Sequence, residues 1–266
     1  MAPTTIRPRR TTRRAAPAAL ATAVLLGAAA CSAIEVDPER PTAPASSPSA
    51  AGVSRSPAPA APAALTAAQA QSALITWADL GEPWAPTQGA APWRDAFLKV
   101  RVARGTAPDC QRLLDALYAD ELLGAPARAV VGLDDTYHRA QLRHQITTQR
   151  PAAVDRTLGW LRTLPGRCAT FAATSANGTA QRVEVAGAEL PEAGDARQGL
   201  RVTSTIEYRG EPVSLTVDVA VVRVGRDAFT LTNGGLGDVR PEVTAAAVRL
   251  GAERLAAVRK QGRVLV

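Results

Sequence analysis

The segments LRVTSTIEY (residues 200–208) and VSLTVDVAVV (213–222) decide the fold. In both, apolar and polar residues alternate, and a period of two puts alternate side chains on opposite faces of a strand. Only Arg209–Pro212 separates them, which is short enough for a hairpin, so the pairing is antiparallel. The same reading extends outward. DAFTLTN (227–233) continues the meander, and CATFAATS (168–175) and TAQRVEVAG (179–187) flank Asn177-Gly178, a strong hairpin signal. RAVVGL (128–133) reads as a buried run. AQLRHQIT (140–147) alternates again through Ala140, Leu142, His144 and Ile146.

Helices surround these seven strands. Thr66 to Gln69 form a capping-box pattern ahead of a stripe of Ala70, Leu74 and Trp77, and Gly81-Glu82-Pro83 breaks that helix. A second helix starts near Pro108 or Asp109, carries Leu113, Leu114, Leu117 and Leu122, and stops at Gly124. A third opens at Arg150-Pro151, packs Val154, Leu158 and Leu161, and ends at Pro165-Gly166. Pro241 to Lys260 is a long closing helix with Thr244, Val248, Gly251, Leu255 and Val258 on its packed side and its arginines turned away. The order ααββαβββββα, with short links between strands, predicts an α+β domain: a single antiparallel sheet packed by helices. It spans residues 65–266, long enough to bury a substantial core.

The first 64 residues are of another kind. Five arginines (Arg7, Arg9, Arg10, Arg13, Arg14) and no acid precede a 13-residue apolar stretch, Ala18–Ala30, and then Cys31. A membrane-spanning helix needs about 20 apolar residues, so residues 1–30 have the dimensions of a secretory signal. Small residues placed directly before Cys31 resemble the lipobox of bacterial lipoproteins, in which the thiol is diacylated and becomes the new N-terminus. The usual leucine three places ahead is Ala28 here. A cleavable signal with an incidental cysteine is the alternative. The arginine pairs leave the export route open between the general and twin-arginine pathways. Two acyl chains give stable anchoring where one gives only marginal binding, so a lipidated Cys31 places the chain on the outer face of the cytoplasmic membrane.

Residues 31–64 then hold the lipidated cysteine and a Pro/Ala-rich linker. Seven prolines fall between positions 32 and 64, and no aromatic does. Such a segment buries too little surface to offset its ordering entropy and is expected to be disordered. Five of the seven net positive charges belong to the leader arginines. The rest of the chain is therefore nearly neutral, without the dense basic face that nucleic acid requires.

Three cysteines leave one unpaired. With Cys31 assigned to lipid, Cys110 and Cys168 remain. In an exported domain they are expected to form a disulfide, closing a loop worth roughly 4 kcal/mol in the chain-entropy model. Two buried free thiols are the alternative.

A helix after one cysteine, a central helix ending at a second, then strands and a closing helix resemble the PknH-like extracellular domain. This is a family of sensor domains from mycobacterial serine/threonine kinases and related actinobacterial lipoproteins. The resemblance rests on LITWADLGEPW (74–84), AAVDRTLGWLRTLPGRC (152–168), VSLTVDVAVVRVGRDAFTLTNGG (213–235) and AAAVRLGAERL (245–255), and covers most of residues 66–260. The family commonly has a second disulfide in its late strands, and this chain has no cysteine there. No kinase domain occurs in these 266 residues. The resemblance implies a sheet and helices forming a groove that takes an unknown ligand. It does not imply catalysis.

Chemistry-bearing motifs are scarce. Neither HExxH, GxSxG, SxxK nor a phosphate-cradling loop occurs. His138 and His144, if on one strand, lie about 20 Å apart and share no metal. Asp134 and Asp135 lie near His138, and Asp135 is within reach of it, with ordinary loop charges and a sheet histidine as the simpler account. The glycines of NGGLG (233–237) read as a turn, and Glu184 and Asp195 have no supporting motif. Of four tryptophans, Trp77 and Trp160 belong with helical stripes and the core. Trp84 and Trp93 flank a Pro/Gly/Ala-rich loop and are the candidate ligand-binding residues, against plain packing as the simpler account. No cofactor or metal is called for. The leading expectation is a non-enzymatic sensor-like lipoprotein that binds an envelope ligand or protein. An assembly lipoprotein docking onto another envelope protein is the alternative, and an unrecognised hydrolase is the third.

Overall fold

The computed structural model describes residues 64–264; the leader, Cys31 and the linker lie outside the described residues. Its nine strands are β1 (Trp84–Pro86), β2 (Val100–Val102), β3 (Ala129–Asp135), β4 (Ala140–Thr148), β5 (Thr170–Ser175), β6 (Ala180–Ala188), β7 (Ala196–Tyr208), β8 (Glu211–Val224) and β9 (Asp227–Leu236). They form one sheet in the order β1-β3-β4-β9-β8-β7-β6-β5-β2, with every neighbouring pair antiparallel. The helices are α1 (Ala67–Ser72), α2 (Trp77–Leu80), α3 (Arg94–Phe97), α4 (Pro108–Ala119), α5 (Pro151–Arg167) and α6 (Pro241–Val264). Each of the three long helices begins on a proline, whose missing N–H is not needed there.

Helices cover both faces of the sheet. Leu215, Val217, Val219 and Val221 of β8 pack with α4 and α5 residues such as Leu114 and Leu161. Ala220, Val222 and Val224 of the same strand pack with α1 and α6 residues such as Ala70, Val248 and Leu255. β8 is therefore buried on both faces from Leu215 to Val222, and the polar half of its alternation does not face water. Asp218, 3% exposed, is held instead by Arg201 of β7 (Nε–Oδ1 2.7 Å, Nη2–Oδ2 3.0 Å), and the Thr244 hydroxyl of α6 donates to it at 3.0 Å. A buried carboxylate is tolerable only when its lone pairs are met in this way.

The β7–β8 hairpin turns on Arg209 and Gly210, both with positive φ (54° and 82°), as a two-residue turn of this twist requires. Cys110 of α4 and Cys168, which caps α5, are bonded to each other, and both are buried. The ion pair of Arg167 with Asp109 joins the same two helix ends.

Several local expectations are corrected. α4 ends at Ala119, not Gly124: Asp120 takes a left-handed conformation, and Arg94 gathers the carbonyls of Leu117 and Tyr118. α5 runs through Pro165 to Arg167. The Thr66–Gln69 capping box forms, but α1 stops at Ser72 and a second box at Thr76 starts α2, leaving Trp77 51% exposed. Arg254 and Arg259 of α6 are not turned away: Arg254 reaches the Leu74 carbonyl and Asp79, and Arg259 pairs with the fully buried Asp227. The edge strands β1 and β2 carry too few residues to show a period.

Candidate functional site

Edge strands β1 and β2 stand at opposite ends of the sheet although only 13 residues, 87–99, connect them. That connection crosses one sheet face as a strap. Along it, the Ala91 N–H donates to the Gln141 side chain on β4, Trp93 lies over Gly234 of β9 beside Val217 of β8, and the Ala96 carbonyl accepts from Gln181 of β6. The strap then feeds β2, which pairs with β5.

The first part of the strap is fastened at its root. Asp134 of β3 accepts from the Thr87 hydroxyl (3.0 Å), the Gln88 N–H (3.1 Å) and the Gln141 amide (2.8 Å). The same amide donates to the Gly89 carbonyl at 2.8 Å. Gln141 is 4% exposed. These polar groups are thus engaged in holding backbone.

Between strap and sheet lies a cavity of about 620 Å³. Ala90, Ala91, Pro92, Trp93 and Phe97 form its strap side, and Ala140, Val213 and Leu236 its sheet side. Gln88, Asp134, Asp135, Thr136, Arg139 and Gln141 supply polar groups around one part of it. A volume in the range of roughly 300–1,000 Å³, mostly apolar with a few polar groups, is that of a small-molecule site and far exceeds what ordered water needs.

The Trp93 indole sits where it does because β9 has no side chain beneath it. A β-carbon on Gly234 would lie 2.8 Å from Trp93 Cη2. The NGGLG segment is accordingly not a turn: Asn233, Gly234 and Gly235 are in β9, paired with Leu142, Gln141 and Ala140. Glycine in a strand marks a close approach by another group, which was the one signal available in the sequence.

The two candidate tryptophans are not brought together. Trp93 lines the large cavity, whereas Trp84, buried on β1, packs into the α1–α6 core and borders a separate space of about 30 Å³ next to Asn233. Trp160 packs against the α4–α5 core, donates to Asp109 at 3.0 Å and has Arg112 stacked over its ring at 3.9 Å.

The histidines also part company. His138 lies in the β3–β4 turn with Nδ1 2.7 Å from Asp135, a pairing the sequence left as the less favoured alternative. His144 is fully buried, edge-on to Phe229 and under Gly251 of α6. Its Nδ1 accepts from the Ile75 N–H at 3.3 Å. Burial, and secondarily the Arg254 charge, push its pKa down to about 3, so it is a neutral core group. Glu184 pairs with Arg182, and Asp195 holds the Gly225 N–H. Among the described residues, no cluster of three or more His, Cys, Asp or Glu side chains is placed to hold a metal ion, and no helix is long and apolar enough to cross a membrane.

No protein-family model matches the chain, and no curated protein matches it. Among solved structures, the extracellular domain of PknH from Mycobacterium tuberculosis is similar. The identity is 14% and the TM-score 0.43, over 76% of this chain and 100% of that one.

Proposed function

We propose that the chain is an extracytoplasmic lipoprotein, anchored through Cys31 to the outer face of the cytoplasmic membrane. Its folded part binds a small, largely apolar molecule of the cell envelope without transforming it. The observation that carries this reading is the cavity under the strap. It is large and mainly apolar, and its wall is fastened by hydrogen bonds from Gln141 and to Asp134. A preformed site avoids the ordering penalty of binding. The bordering carboxylates serve the fold: Asp134 holds the strap, and Asp135 holds the β3–β4 turn through the N–H groups of Tyr137 and His138. That use supports binding over catalysis. The buried Cys110–Cys168 bond suits an oxidising compartment, and the proline-rich stretch before residue 65 would serve as a tether.

Mass spectrometry of the native protein tests both halves of the proposal. The expected result is a diacyl mass on Cys31 and a co-purified small molecule that is lost in Trp93→Ala and in Val213→Gln, the second variant being at a half-buried wall position that folding tolerates more readily. If Cys31→Ser remains equally membrane-associated and no acyl mass is found, the anchor is wrong. A natively folded protein that retains no molecule, with variants that behave as wild type, overturns the binding role.

A further inference from the structure

Of three charged side chains that line the cavity, two are engaged. Asp134 accepts three hydrogen bonds that fasten the strap. Asp135 accepts from two backbone N–H groups and contacts His138 and Arg240. Arg139 is exposed, has no hydrogen bond, ion pair or ring contact among the described residues, and lines the cavity from the β3–β4 turn.

Arg139 has φ 54°, a left-handed conformation that glycine or asparagine adopts at lower cost. The same conformation occurs at Arg209 in the β7–β8 hairpin turn. At Arg139 it closes the four-residue β3–β4 loop between the paired residues Asp135 and Ala140. The turn accounts for the backbone and leaves the guanidinium free for the cavity.

Resting on the ligand-binding reading above, we infer that the cavity takes an anionic amphiphile: a hydrocarbon chain between Trp93, Phe97, Val213 and Leu236, with its acidic head at Arg139. The guanidinium offers a planar fork of donors matched to a carboxylate or phosphate. The apolar walls make no demand on chain chemistry beyond hydrophobicity. Asp134 and Asp135 both line the same cavity; Asp135 is paired with Arg240, whereas Asp134 repels the head, so the head is expected to sit on the Arg139 side, away from the Thr87–Gln141 cluster.

The test uses the full chain carrying Cys31→Ser, so that no acyl group of its own competes. Decanoate, decyl phosphate, decanol and decylamine are titrated by calorimetry below their micellar concentrations. The inference expects the anionic pair to bind at least about tenfold tighter than decanol, and decylamine weakest. It further expects Arg139→Gln to erase the anionic advantage while leaving decanol unchanged, and Arg139→Lys to restore part of it. Tighter binding of decanoate or of decyl phosphate identifies a carboxylate or a phosphate head. Equal binding of all four compounds, or an advantage unaffected by Arg139→Gln, overturns the head-group assignment and leaves the cavity reading intact. Failure of every compound to bind overturns both.

Discussion

Trp93 Cη2 occupies a position only 2.8 Å from where a β-carbon on Gly234 would stand, with Trp93 Cζ2 at 3.1 Å and Val217 Cγ2 at 3.2 Å. The strap, the sheet and the cavity wall meet at this point. Gly234→Ala must displace either the indole or the β8–β9 pairing. The expected loss is about 1–3 kcal/mol, with a shift in tryptophan emission and weaker ligand binding, read from denaturant unfolding and titration. Gly187→Ala on β6, where nothing lies within 4 Å of the added carbon, is expected to be neutral or slightly stabilising. Equal effects from the two substitutions would remove Gly234's special status.

Reduction of the Cys110–Cys168 bond should lower stability by about 4 kcal/mol, since the two residues are 58 apart in sequence. The Cys110→Ser/Cys168→Ser protein should match the reduced wild type. Urea unfolding with and without reductant measures this; an oxidised protein insensitive to reductant while its thiols react freely contradicts the bond.

Asp227 is fully buried and holds Arg259 of α6 as well as the Thr148 hydroxyl of β4. Asp227→Ala leaves a largely buried guanidinium without its partner, and an expected cost of about 3–5 kcal/mol follows. Hydrogen exchange should show the second half of α6 opening before the rest of the domain. Uniform exchange across the domain would argue against a local role.

His144 makes stability depend on pH in a definite direction. Its folded pKa is about 3, lowered by burial and then by Arg254, whereas the unfolded chain takes up the proton near the ordinary 6.5. The unfolded state therefore binds more protons between these values, and stability, complete above pH 6.5, falls as the pH drops. The expected loss reaches about 3 kcal/mol at pH 4.5. An imidazole resonance that stays neutral through pH 5, together with a flatter stability profile in His144→Gln, would confirm it. An imidazolium signal from His144 at pH 5.5 would refute it.

Much of the sheet was legible because its longer strands carry their signal locally. The alternation in 200–208 and 213–222, Asn177-Gly178 between β5 and β6, and Arg209-Gly210 at the hairpin each depend on neighbours along the chain. The packed side of α6 was legible for the same reason: Thr244, Val248, Gly251, Leu255 and Val258 follow the helical repeat and are buried. The pairing of Cys110 with Cys168 followed from their number and the expected compartment. By contrast, the burial of β8 on both faces depends on α5 and α6 arriving from opposite sides, and its alternating polar residues suggested one wet face.

The candidate site was legible only in part. Trp93 stood out as an aromatic in a Pro/Gly/Ala-rich loop, but Trp84 had the same credentials and faces a different core. What separates them is the path of residues 87–99 across the sheet, which puts Trp93 over Gly234 and closes a cavity against Val213 and Leu236. The sequence by itself determined most of the longer strands and helices and the supply of one pairable cysteine couple, since each follows from period or count. Only the tertiary structure decided which side chains share a cavity and which charged group there is left without a partner. Those are distances between residues far apart in the chain, set by how the strands and helices pack, and no local pattern encodes them.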